Sequence, residues 1–335
     1  MILHPAVIAL LLSSALISAM VLYASYFGFR IISKWDLNSG SELQLGLERR
    51  TYLVSTILSY VFFFELISFF LFIYTADNLC NLFVGAMCAA GTLNVNDYGY
   101  PALILKIVNF ILAGVWLIMN YADNRAYDYP LIKTKYLLLL MIAPVMLSEA
   151  VVQGNYFIGL RADVITSCCG ALFSTDIRGL TSEISALPAK PMKAAFFTGM
   201  SLTLVSGIYF YLKGYKDKIS GYLFSILSGS SFVISILSII SFISLYIYEL
   251  PTHHCPFCIL QKEYNYIGYP LYLALLAGGV SGMGIGALMP FRNIESLRET
   301  LPSIQRRLAI ITLLSYLVFS AIVISKIVFS DFRLE

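Results

Sequence analysis

The sequence predicts an all-α, polytopic membrane protein of about eight transmembrane helices, with both termini non-cytoplasmic. Three observations predict it. Of the 335 residues, 59% are hydrophobic and only 12% are charged, whereas soluble domains carry nearer a quarter charged. Apolar stretches of bilayer-spanning length recur along the whole chain. The loops between them alternate in Lys and Arg content. The net charge of +3 is small and dispersed, so nothing points to nucleic acid.

A span needs roughly 20 apolar residues to cross a hydrocarbon core of about 30 Å. The qualifying stretches are 5–30, 51–75, 101–120, 136–158, 194–212, 220–248, 266–289 and 308–329. Lipid cannot satisfy open backbone groups, so each should be a helix, and together they make one transmembrane domain, 1–335. The first begins without a basic segment, is too long for a signal-peptide core, and meets its first positive charge at Arg30. It reads as a retained span that starts outside.

Basic residues crowd the odd loops: Arg30, Lys34, Arg49 and Arg50; Arg125, Lys133 and Lys135; Lys213, Lys216 and Lys218; Arg292, Arg298, Arg306 and Arg307. The second loop has none, and the fourth and sixth have few. The positive-inside rule therefore places the odd loops in the cytoplasm. All six cysteines then fall on the non-cytoplasmic side, in the even loops or at their helix junctions. That face permits disulfides. The expected setting is the inner (plasma) membrane of a bacterium.

Two spans carry packing signals. Gly278, Gly282 and Gly286 recur at four-residue spacing, which permits close helix approach. The sixth span holds Ser225, Ser228, Ser230, Ser231, Ser235, Ser238, Ser241 and Ser244, a packing seam or a polar path. The seventh loop, FRNIESLRETLPSIQRR, has an apolar period among basic residues and suits the cytoplasmic interface.

The most informative segment is His253-His254-Cys255-Pro-Phe-Cys258-Ile-Leu-Gln261-Lys262. A C-x-x-C can close a redox disulfide, hold half a metal site or attach a haem. Haem attachment wants His directly after the second cysteine, but Ile259 stands there. A zinc ribbon needs a second C-x-x-C, which the chain lacks. A thiol–disulfide pair fits best, because a thiolate is favoured by nearby positive charge and His253, His254 and Lys262 flank the pair.

The stretch CPFCILQKEYNYIGYPL resembles the cysteine motif of the bacterial DsbB family of quinone-linked disulfide oxidoreductases. The resemblance covers residues 253–271. It implies that Cys255 and Cys258 form the quinone-proximal pair, that Gln261 and Lys262 lie beside the quinone head, and that the cofactor is ubiquinone or menaquinone. Here Lys262 replaces the family's Arg, losing the planar fork. The family's second cysteine pair follows the first, whereas no cysteine follows Cys258 in this chain. A second pair must come from Cys168/Cys169 or Cys80/Cys88.

Cys168 and Cys169 are adjacent. Such a pair can form a strained, easily reduced disulfide, bind a soft ion such as Cu(I) or Hg(II), or pack as small apolar residues. Cys80 and Cys88 need a turn between them to bond directly, and Gly85 offers one. They are a relay, a structural disulfide or buried thiols. Glu65 and Glu149 stand alone in apolar spans at similar depth, where ionisable groups are costly. They are candidates for proton handling, or for neutral hydrogen bonding between helices.

The leading expectation is a membrane thiol–disulfide oxidoreductase. Cys255, Cys258, Cys168 and Cys169 would be the catalytic cysteines, and the partner an extracytoplasmic thioredoxin-like or other thiol protein. The alternative is transport of a soft metal or assembly of a metallocentre, with His253, His254, Cys255 and Cys258 as ligands. A third reading makes the cysteines purely structural.

Overall fold

A computed structural model of the chain describes residues 3–36, 39–161, 164, 166, 188–213 and 217–333. Among them every regular element is helical. Eight helices are long and apolar enough to cross a membrane: Pro5–Lys34, Glu42–Leu82, Gly99–Asp123, Ile132–Ile158, Ala189–Leu212, Lys218–Tyr248, Gly268–Asn293 and Thr300–Phe329. The chain is an integral membrane protein of the helical kind.

We number the α-helices α1 Pro5–Lys34, α2 Glu42–Asn78, α3 Ala89–Leu93, α4 Gly99–Asp123, α5 Ile132–Ile158, α6 Ala189–Leu212, α7 Lys218–Ser238, α8 Ser244–Tyr248, α9 Gly268–Leu288 and α10 Thr300–Phe329. Several overrun the apolar windows of the sequence. The helix α2 starts at Glu42, in a run of Glu, Leu, Gln and Arg that favours helix. The apolar window marks the lipid-facing part of a helix, and the helix itself continues into water. Likewise α10 begins at Thr300, inside the basic seventh loop, with Pro302 tolerated in its first turn.

The chain forms two compact units. The first comprises 1–75, 96–161 and 290–304; the second comprises 76–95, 162–289 and 305–335.

In the first unit, α1, α4, α5 and most of α2 enclose a core of Val21, Phe27, Leu58, Phe62, Trp116, Tyr136, Leu139 and Ile142. Phe62 meets Trp116 edge-on at 4.8 Å, and the indole N–H donates to the Lys135 carbonyl at 3.0 Å. Lys135 and Asp123 form a fully buried ion pair at 2.6 Å. Ser55 and Asn120 accept further bonds from the ammonium, at 3.2 and 3.0 Å. The other oxygen of Asp123 accepts the Leu131 N–H at 2.8 Å, so this pair staples the α4–α5 turn.

In the second unit, α9 lies against α7 along the glycine stripe. A Cβ at Gly282 would overlap Ser228, one at Gly286 would overlap Ser225, and one at Gly278 would meet the Tyr316 ring of α10. Ser228 also bonds the Gly278 carbonyl at 3.3 Å, and Tyr316 donates to the Ser228 carbonyl at 2.7 Å. On the other side of α7, Ser231 meets Thr203 of α6 at 2.7 Å. These serines therefore serve a close-packed seam. Between α7 and α8 the span relaxes into a π turn, Ile239–Ile243. Such turns disturb the regular backbone ladder. The imidazole Nδ1 of His254 bonds the Ile240 carbonyl here, at 2.8 Å.

Candidate functional site

Three cysteines converge in the second unit. The sulfurs of Cys88, Cys255 and Cys258 all lie within 4.8 Å of one another, and all three residues are buried. Cys88 Sγ and Cys255 Sγ are 3.6 Å apart, a contact well beyond the roughly 2.05 Å of a disulfide.

The local backbone explains why they meet. The helix α2 runs out at Asn78 into a 3-10 turn, Leu79–Leu82, that carries Cys80, also buried. The chain then reverses at Gly85, whose φ is +89°. A side chain there would strain the turn and would also run into the Thr166 carbonyl. Cys88 follows as the residue before α3. Asp77 locks this arrangement, because its Oδ1 accepts the Ala89 N–H at 3.1 Å.

The C-x-x-C loop is clamped from two helices. The Tyr248 hydroxyl of α8 donates to the Cys255 carbonyl, and the Tyr272 hydroxyl of α9 donates to the Pro256 carbonyl, each at 2.5 Å. Cys258 opens a short 3-10 turn to Leu260. Gln261 joins the two cysteine loops. Its amide donates to the Met87 carbonyl at 3.1 Å and to Asp77 Oδ1 at 3.4 Å.

The Gln261 amide thus holds the Cys88 loop. Lys262, the next residue, is exposed.

The aromatic surround sets the protonation of the neighbours. His253 packs edge-on against Tyr248 at 4.4 Å. Burial holds its imidazole below the ordinary histidine range; the nearby Cys88 opposes this, and His254 adds to it. The ring is therefore neutral near pH 7 and supplies no fixed positive charge. Its Nε2 is buried and has no hydrogen-bond partner among the described residues. Tyr264 meets Tyr248 edge-on at 4.6 Å. Burial, and then the charge of a Cys258 thiolate, push its phenol up, so it stays a proton-bearing donor.

Cys168 and Cys169 lie outside the described residues. Thr166, two residues earlier in the chain, is described. Its N–H donates to the Val84 carbonyl at 3.0 Å, on the stretch that leads to Cys88.

Glu65 and Glu149 lie in the first unit, and the structure brings them together around Lys106. All three are buried, at 3%, 3% and 1% exposure. The Lys106 ammonium stands 2.8 Å from Glu149 Oε1 and 3.5 Å from Glu65 Oε1.

Asp77, Tyr248, Tyr272 and Lys106 join these sites only in the folded structure. Lys106 had a signal, a lysine inside an apolar span. The others had none, because their roles depend on which loops meet. Comparison with protein-family models, with curated proteins and with solved structures finds no match.

Proposed function

We propose that this protein is a membrane thiol–disulfide oxidoreductase that exchanges electrons between extracytoplasmic thiols and a membrane quinone. The observation that carries this reading is the contact of Cys88 with Cys255 at 3.6 Å, with Cys258 beside both. Thiol–disulfide exchange needs a third sulfur at a disulfide, because a thiolate attacks one sulfur and expels the other. Near-attack separations are about 3–3.5 Å. In the proposed step the Cys88 thiolate attacks Cys255 of a Cys255–Cys258 disulfide. The Cys88–Cys255 bond forms, and Cys258 leaves as a thiolate. Over a full cycle two electrons and two protons pass between the dithiol and the quinone, which supplies the two-electron redox couple. Lys262 is the residue assigned to its carbonyl.

The burial of all three sulfurs supports a relay. Cys88 and Cys255 have no exposed surface, so a partner protein's thiol cannot reach them directly. Cys168 and Cys169 are assigned as the partner-facing dithiol on the chemistry of an adjacent cysteine pair. Cys80, buried on the 3-10 turn before Cys88, is a relay or a structural cysteine. The cysteine face is non-cytoplasmic on this reading, which rests on the loop charges, and the membrane is the bacterial inner membrane.

A soft-metal site is the second reading, and one observation favours it. Sulfurs that share one tetrahedral or trigonal ion through bonds of about 2.3 Å stand roughly 3.8–4.0 Å apart, close to the spacing of Cys88, Cys255 and Cys258. His253 falls outside that mutual group.

Thiol trapping under a quinone and a quinol analogue separates the two readings. The oxidoreductase reading expects Cys255 and Cys258 to switch between trapped and bonded with the redox state of the analogue. It fails if they ignore the analogue and bind one equivalent of Cu(I) tightly. A membrane-impermeant reagent tests sidedness, and labelling only from the cytoplasmic face would sink the topology.

A further inference from the structure

The first unit contains a second constellation, in the middle of its apolar spans. Lys106 of α4 reaches Glu149 of α5 at 2.8 Å and Glu65 of α2 at 3.5 Å. Ser68 donates to Glu65 Oε2 at 3.2 Å and accepts from Lys106 at 3.0 Å. Asn109 donates to Glu149 Oε2 at 3.1 Å. Both carboxyl groups therefore face a single ammonium.

That arrangement has a chemical consequence. Two carboxylates and one ammonium leave a net negative charge in low dielectric, and one proton makes the cluster neutral. A second, independent observation points the same way. Asn109 is fully buried, and its Oδ1, beside Glu149, has no hydrogen-bond partner among the described residues. It is an acceptor facing a place where a donor, water or an acid proton, belongs.

The surroundings contain few other ionisable groups. The buried face of α1, Val7 to Ile31, has none. Tyr156 of α5 is buried against Phe72 of α2, and Lys106 lies 5.7 Å from the Phe72 ring centre. By helix rise, Lys106 sits about 10 Å from the start of α4 and Glu149 about 14 Å from the end of α5.

We propose that Glu65, Lys106 and Glu149 form a proton-exchange site, in which the two carboxyl groups share one proton that leaves to water and returns from it. This goes beyond the cysteine chemistry and does not depend on it. The Lys135–Asp123 pair is the contrasting case: one cation and one anion, already neutral, with no proton to exchange.

The test is infrared spectroscopy of the full chain in lipid, in water and in deuterium oxide, across pH. The site predicts a carboxylic-acid C=O band that shifts on deuteration and declines as a one-proton titration. Glu65→Gln and Glu149→Gln should each remove it, because the remaining carboxylate then pairs with Lys106. Ser68→Ala should keep it. Lys106→Met should raise it about twofold, with both carboxyl groups then protonated. If one Gln variant does not fold, the other gives the same reading. The proposal is overturned if folded wild-type protein shows no such band at any pH, or a band that survives both Gln variants. It is also overturned if the band neither exchanges nor titrates, as a closed structural network would behave.

Discussion

The two units each bury reactive groups, by opposite means. In the first unit the groups sit on long helices. Glu65, Lys106 and Glu149 come from three spans and meet because the spans pack side by side. In the second unit the sulfurs sit on loops, and Cys88, Cys255 and Cys258 meet because side chains tie those loops down. Helix packing positions charges with little adjustment. Loop chemistry needs explicit clamps, and here Asp77, Gln261, Tyr248 and Tyr272 provide them. The first unit's site should therefore be sensitive to charge balance, and the second unit's site to single hydrogen bonds.

The largest effect expected from this contrast lies in the first unit. Lys135→Met strands the Asp123 carboxylate at full burial, and breaking a buried pair costs about 3–5 kcal/mol. Lys106→Met should cost less, because two neighbouring carboxyl groups can neutralise themselves by taking up protons. Thermal melts of both variants in the same detergent test the order. If Lys106→Met is the more damaging, the triad is a structural salt bridge and not a proton site.

Next comes the seam of the second unit. Gly282→Val places a branched side chain on Ser228 and should cost about 1–3 kcal/mol by overpacking. The same melts check it, and an unchanged melting point would mean that α7 and α9 do not approach so closely. The clamps follow. Gln261→Ala should lose about 1 kcal/mol of net hydrogen bonding. It should slow thiol exchange between Cys88 and the C-x-x-C pair more than it lowers stability, as measured by stopped-flow thiol trapping. If Gln261 instead holds quinone, the variant should weaken quinone binding and leave the exchange between sulfurs alone. The smallest effect expected is that of Tyr248→Phe, which leaves one carbonyl without its donor at a cost of about 1 kcal/mol and shifts the melt slightly.

Much of the architecture was legible because lipid imposes a length and a composition on each span. The eight apolar windows overlap the eight helices, and only their ends moved. Helix ends in water follow propensity and capping, as at Glu42 and Thr300, and hydropathy does not read these.

The glycine stripe was legible as a close approach, since four-residue spacing has one geometric meaning on a helix. Which residues it would meet was not. The C-x-x-C motif was legible as chemistry, but its third sulfur was not. The sequence put Cys168 and Cys169 ahead of Cys80 and Cys88 as partners of the pair, and only the turn at Gly85 and the bonds of Asp77 bring Cys88 forward. Gln261 was legible as part of the motif, while the bonds of its amide to Met87 and Asp77 were not. Glu65 and Glu149 were visible because isolated carboxylates stand out in apolar runs. Lys106 was less so, because a lysine two turns inside a span can extend its ammonium to the interface.

The central claim is that Cys88 is the sulfur that exchanges with the C-x-x-C pair. Cys258→Ser tests it most directly, because it removes the leaving thiolate and should trap the intermediate. After oxidation of the purified full-length variant, peptide mass spectrometry should find Cys88 bonded to Cys255. A variant in which Cys255 bonds any other cysteine, or in which Cys88 stays reactive toward alkylation after oxidation, would contradict the account.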